Sequence, residues 1–226
     1  DTSYHYICEA TGWDRYPVTF AGWSNPTPDT TNPTVAITTP SADGTWVDST
    51  TYTALAGTAS DNVGVSAIEW KLEAGGTYAA TGVTGTTAWS VSSITLSEGL
   101  NTIYVRASDA AANTAEATRT INADTVAPTV VNSVATPSDT TYTAGVAYDL
   151  SVDITEANHS STTYACTDAG TYSESGSLSV TGTAPTLAGT ANIDSTGASG
   201  NITCAITATD LAGNTGTIAG GLVIAE

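Results

Sequence analysis

Two short acidic stretches carry side chains able to do chemistry: Asp109-Ala-Ala-Ala-Asn113-Thr114 and Asp210-Leu-Ala-Gly-Asn214-Thr215, both of the form Asp-x-Ala-x-Asn-Thr. A carboxylate and an amide held four residues apart can ligate a hard cation, orient water, or fold back on their own backbone as a turn. Other reactive groupings are thin. His5 and His159 stand in unlike contexts and match no zinc spacing with Cys. No Ser has the surroundings of a nucleophile elbow. Carboxylate pairs for glycoside cleavage could be drawn from 22 acids, yet nothing suggests an aromatic-lined cleft to hold a sugar between them. The expectation is a protein that is not an enzyme.

The chain of 226 residues sets four Lys and Arg against 22 Asp and Glu, a formal charge of −18, although only 12% of its residues are charged. The imbalance is a lack of cations. A phosphate backbone or an anionic bilayer would be repelled, which excludes nucleic acid as a partner. No run of 18 apolar residues offers direct membrane insertion. Calcium would not be repelled. The sequence has no Met, as expected of a processed chain or of a segment from a longer one. Abundant Thr, Ser, Ala and Gly, scarce Lys and three Cys suit an extracellular or cell-surface location. Asn158-His159-Ser160 and Asn201-Ile202-Thr203 fit the acceptor pattern for N-glycosylation.

The elements that position these side chains come twice. Asp29-Thr30-Thr31-Asn32-Pro33-Thr34-Val35 matches Asp124-Thr125-Val126-Ala127-Pro128-Thr129-Val130 at an offset of 95. Tyr52 and Asn62 match Tyr148 and Asn158 at 96, and Asp109 and Asn113 match Asp210 and Asn214 at 101. Two tandem modules follow, residues 29–123 and 124–226, with an aromatic-rich segment 1–28 outside the repeat. In the first module, residues 52–58, 66–72, 88–96, 101–107 and 115–121 alternate apolar with polar between Gly, Asp, Asn or Pro clusters. No window has a helical period. The expected class is all-β, with each module a two-sheet sandwich and an Ile68, Trp70, Leu72 stripe facing Ile103, Val105 and Ala107. Trp70 and Trp89 are expected in the core. At the offsets above, Trp70 maps onto Cys166 and Ile103 onto Cys204. With the third and sixth strands as neighbours, Cys166 and Cys204 form a disulfide where the first module has an indole; two free core thiols are the alternative. Cys8 is then a free thiol or a link to another chain.

The motifs Asp-Thr-x-x-Pro-Thr-Val, Gly57-Thr-Ala-Ser-Asp-Asn-Val-Gly-Val65 and Gly99-Leu-Asn-Thr-Ile-Tyr-Val-Arg-Ala-Ser-Asp109 resemble the bacterial and archaeal immunoglobulin-like modules found in tandem on adhesins, on stalks and as spacers of secreted hydrolases. The resemblance covers about residues 29–226. The second copy is looser, with Glu156-Ala157-Asn158-His159 in place of Ser-Asp-Asn-Val-Gly. It implies two immunoglobulin-like β-sandwiches in series and transfers no catalytic residue.

In such a sandwich the loop between strands two and three meets the loop between strands six and seven at the pole where the chain enters. That implies Asp29, Asp61, Asn62, Asp109 and Asn113 at one pole, and Asp124, Glu156, Asn158, Asp210 and Asn214 at the joint between modules. Calcium is the cofactor such oxygen-rich groups would take. Plain turn stabilisation is the competing account, and both stay open. Residues 1–28 hold Tyr4, Tyr6, Trp13, Tyr16, Phe20 and Trp23. Tyr16, Val18, Phe20 and Trp23 are expected to form a docking strand for this or a neighbouring subunit's sheet edge; the remnant of a preceding domain and a sugar-binding platform are the alternatives. The functional expectation is an extracellular structural or adhesive protein, the repeating subunit of a surface filament that self-associates or joins neighbouring surface proteins. A carbohydrate-binding adhesin module, with glycans as partners, and a non-catalytic hydrolase spacer are the rivals.

Overall fold

Apolar and small polar residues alternating with period two should give strands with one buried face, and strands are what the chain forms, with no helix among the described residues. The structure is a computed structural model and describes residues 4–9, 12–17, 27–136 and 147–224. Strands β1 (Tyr4–Glu9) and β2 (Gly12–Pro17) pair as an antiparallel hairpin. The first half continues with β3 (Thr34–Thr39), β4 (Thr45–Val47), β5 (Thr51–Tyr52), β6 (Ala56–Ser60), β7 (Val65–Leu72), β8 (Val83–Thr84), β9 (Ala88–Val91), β10 (Ile94–Thr95), β11 (Gly99–Asp109) and β12 (Thr114–Ala123). The second half has β13 (Thr129–Thr136), β14 (Ala147–Thr155), β15 (His159–Thr167), β16 (Ser173–Ser177), β17 (Ser179–Thr183), β18 (Thr186–Asp194), β19 (Ile202–Asp210) and β20 (Thr215–Ile224).

In the first half one sheet runs β3-β6-β9-β8 and another β4-β12-β11-β7, with β5 and β10 as a separate short pair. The second half has sheets β13-β14-β18-β17 and β16-β15-β19-β20. Among the described residues no sheet draws strands from both halves. The apolar cores are separate as well: Leu55, Trp89, Ile103, Val105 and Ile121 lead one, Tyr148, Leu150, Ile154, Ile193 and Ile206 the other. Burying each such side chain contributes about 1.5–3 kcal/mol against exposure.

The stripe expected around Trp70 forms as cross-strand neighbours, with Ile68 opposite Ala107, Trp70 opposite Val105 and Leu72 opposite Ile103. Two expected strands are each broken in two. Residues 52–58 divide between β5 and β6, and residues 88–96 between β9 and β10, because Tyr52 pairs with Ile94 while Gly57 pairs with Trp89 in a different sheet. The chain turns a corner in both places.

The disulfide joins Cys166 and Cys204, which face each other directly on β15 and β19. The expected equivalence with Trp70 is corrected. Val65 and Asp109 pair as His159 and Asp210 do, so β7 maps onto β15 at an offset of 94. Cys166 therefore stands at the position of Leu72, and Tyr164 at that of Trp70. The physical cause is a loop one residue shorter: Asp61–Gly64 becomes 156–158 between strands that keep their own register. Trp70 is also only half-buried, its indole Nε1 donating to Thr81 O at 2.9 Å, whereas Trp89 is buried in the core.

Candidate functional site

Each Asp-x-Ala-x-Asn stretch connects the last two strands of its half. Asp109 N donates to Asn113 O at 3.1 Å while Asn113 N donates to Asp109 Oδ1 at 2.8 Å. The second copy repeats this: Asp210 N to Asn214 O at 3.1 Å, and Gly213 N and Asn214 N to Asp210 Oδ1 at 2.7 and 2.9 Å. Both are turns tied by their own aspartate. The residue before the Asn lies in the left-handed region, Ala112 at φ 70 and Gly213 at φ 99.

The asparagines reach further than a turn needs. Asn113 Nδ2 donates to Asp109 Oδ2 at 2.7 Å and to Asp29 O at 3.1 Å, 84 residues earlier. Asn214 Nδ2 does the same with Asp210 Oδ2 at 2.8 Å and Asp124 O at 2.7 Å. A second amide closes each latch: Asn62 Nδ2 donates to Asp29 Oδ1 at 3.2 Å, and Asn158 Nδ2 to Asp124 Oδ2 at 2.9 Å. The loop between the second and third principal strands and the loop between the last two thus both grip the chain as it enters.

These grips gather carboxylates. Asp29, Asp61 and Asp109 bring one oxygen each to within 4.8 Å of one another, and so do Asp124, Glu156 and Asp210. In the first group Asp29 Oδ2 and Asp61 Oδ1 are buried atoms without a hydrogen-bond partner. Asp61 Oδ2 takes Val63 N at 2.9 Å and Gly64 N at 3.0 Å. The backbone N–H of Gly64, then that of Val63, holds the Asp61 carboxyl below its ordinary range against the opposing effect of desolvation. In the second group all three acids are buried, Asp124 at 8%, Glu156 at 6% and Asp210 at 2% exposure. Two unit charges at 4.8 Å repel by about 3 kcal/mol at an effective dielectric of about 20. Among the described residues the ion pairs are Arg106–Glu69 and Arg119–Asp43, so neither cluster has a basic side chain to offset this. The oxygen-only donor set suits a hard cation such as calcium.

Asp124 also belongs to the first half. Its N–H donates to Val47 O at 3.0 Å, and the next residue, Thr125, donates to Glu98 through its N–H at 3.2 Å and through its hydroxyl. A cleft of about 330 Å³ opens beside the second cluster, walled by Val126, Ala127, Ala157 and Pro185 with Glu156 and Asn158 at its polar side.

The remaining expected residues are placed as follows. Tyr16 lies on β2 opposite His5, while Val18, Phe20 and Trp23 fall outside the described residues. Asn158 is half-buried and committed to Asp124, and Asn201 is exposed. Sequence reasoning missed Glu98, which sits in an ordinary Ser-Glu-Gly turn, and Val47, which contributes only a carbonyl. Nothing in either local pattern marks a contact with Asp124–Thr125. Compared with known proteins, the chain matches no family model and no curated protein.

Proposed function

We propose that this chain is an extracellular, non-catalytic structural protein of two immunoglobulin-like sandwiches in series, the repeating subunit of a surface filament, with calcium held in its two acid clusters. The sheet orders support the immunoglobulin-like reading: in each half the first, second, fifth and fourth principal strands make one sheet and the third, sixth and seventh lie together in the other. Location outside the cell is supported by the disulfide, a bond that persists in oxidising compartments. No helix among the described residues is long and apolar enough to cross a membrane.

The observation that carries the proposal is Asp124. Its carbonyl and carboxylate are gripped by Asn214 and Asn158 of the second half while its amide is bonded to Val47 of the first. A cation bridging Asp124, Glu156 and Asp210 would stiffen that joint, and one bridging Asp29, Asp61 and Asp109 would use the two orphaned oxygens. Addition of calcium is expected to raise the melting temperature and a chelator to reverse the rise; a midpoint indifferent to both would remove the metal from the proposal. The β1–β2 hairpin supports assembly through the N-terminal segment, since two strands alone are marginal in water and gain by adding to another sheet's edge. Deleting residues 1–28 should abolish filaments in electron micrographs, and unchanged filaments would refute that role.

A further inference from the structure

Two triplets in this chain have the form that an oligosaccharyltransferase reads, and their acceptor residues differ in exposure, Asn158 being half-buried and Asn201 exposed. In 158–160 the acceptor amide is in use: Asn158 Nδ2 donates to Asp124 Oδ2, its backbone N–H donates to Glu156 Oε1 at 2.7 Å, and its carbonyl accepts from Leu211 N at 2.8 Å. The side chain is half-buried at the joint. A sugar on that nitrogen would have to fill the space that the carboxylates converge on.

The second triplet begins the strand β19. Ile202 and Cys204 are fully buried, while Asn201 and Thr203 are exposed. In extended backbone, side chains two apart share a face. One apolar residue therefore anchors the triplet in the core and turns both the acceptor amide and the hydroxyl outward. In the preceding loop Ser195 and Ala198 are buried, whereas Gly197 at φ 90 and Gly200 at φ 146 have no heavy atom beyond their own chain neighbours within 4 Å of where a Cβ would lie. The nine residues of β19 place Asn201 about 30 Å from the Asp210 turn, so a glycan there leaves the joint undisturbed.

We infer that Asn201 is an N-glycosylation site and that Asn158 is not, an inference that rests on the export of the chain proposed above. The transfer forms a bond between Asn201 Nδ2 and C1 of the first sugar. It breaks the C1–O bond to the diphosphate of a lipid-linked glycan donor, releases the lipid diphosphate, and passes one amide proton to a carboxylate of the transferase.

The test uses the chain purified from its native cells, reduced, and cut on the N-terminal side of Asp, because no Lys or Arg follows Arg119. The fragment 194–209 should carry a glycan mass increment, and 153–167 should run at its plain peptide mass. Asn201→Gln and Thr203→Ala should each abolish the increment completely, and Thr203→Ser should keep it. A plain mass at 194–209, a glycan at Asn158, or an increment that survives Asn201→Gln overturns the inference. Chain recovered unmodified from outside the cell overturns this inference alone, whereas unmodified chain confined to the cytoplasm overturns export as well.

Discussion

The two halves set the same strands around different fillings. Where Gly57 of β6 stands opposite Trp89 of β9 in the first, Val152 of β14 stands opposite Gly189 of β18 in the second. The bulk has changed sides. Leu72 and Ile103 pair across β7 and β11, and Cys166 and Cys204 take their places on β15 and β19. Trp70 gives way to Tyr164, whose hydroxyl donates to Glu174. Packing is thus conserved as summed volume between fixed strands and not residue by residue. The latch on the incoming Asp is the reverse case, kept almost atom for atom, because a hydrogen-bond network loses far more than a methyl contact when one member is replaced.

Four measurements would break or sharpen this contrast. All five Trp precede residue 124, so no indole of the second half contributes to the fluorescence. Replacing Cys166 and Cys204 together by Ala should destabilise the second half by about 3–4 kcal/mol, given the 38-residue separation the bond closes; the fluorescence transition should stay where it was. Gly57→Ala should cost the first half about 3 kcal/mol, since a Cβ there would lie 2.0 Å from Ala36 O and 2.3 Å from the Trp89 ring. Gly189→Ala meets no backbone, only the side-chain methyls of Leu178, Val152 and Ile154 at 2.9, 3.1 and 3.4 Å, and should cost about 1 kcal/mol in chemical denaturation. At the turns, Ala112→Gly should stabilise and Gly213→Ala destabilise, each by about 1 kcal/mol, because both positions are left-handed. Equal signs for the two would show that the turns are not equivalent.

The smallest effect is acid sensitivity. Backbone N–H groups hold Asp43 and Asp61 in the first half and Asp168 in the second below the ordinary value of 3.8, and the Thr196 hydroxyl does so for Asp194. A depressed carboxylate contributes stability that is present above 3.8 and lost as pH falls through the lower folded value. Both melting transitions should therefore fall together in a titration from about pH 5 to about pH 2, modestly, since these groups are solvent-screened. A fall confined to one half would show that the aspartates of the two halves do not contribute alike.

Much of the latch could be read from the sequence because its parts recur. Asp-x-Ala-x-Asn appears twice at one spacing, and a period-two pattern needs only local residues to declare a strand. The register of the third strand was harder. Asn62 and Asn158 are 96 apart and do the same work, but the shorter loop in the second copy brings the following strand to 94, and only backbone pairing reveals it. The broken strands were missed for a related reason: the apolar residues run on from Ala54 through Leu55 to Ala56 without a turn signal, although the buried face shifts between Tyr52 and Leu55 as the chain passes from pairing with β10 to pairing with β9. The clasp of Glu98 on Thr125 had no pattern at all, being one turn touching another.

The short strand β4 runs parallel to β12, with Thr45, Trp46 and Val47 beside Ile121, Asn122 and Ala123. Gly44 N donating to Thr120 O and Asp124 N donating to Val47 O extend the ladder at either end. If the chain is pulled lengthwise, β4 is drawn toward its beginning and β12 toward its end, so these bonds carry the load together in shear and cannot unzip one after another. Three residues of strand act as a tensile lock for the hundred that surround them.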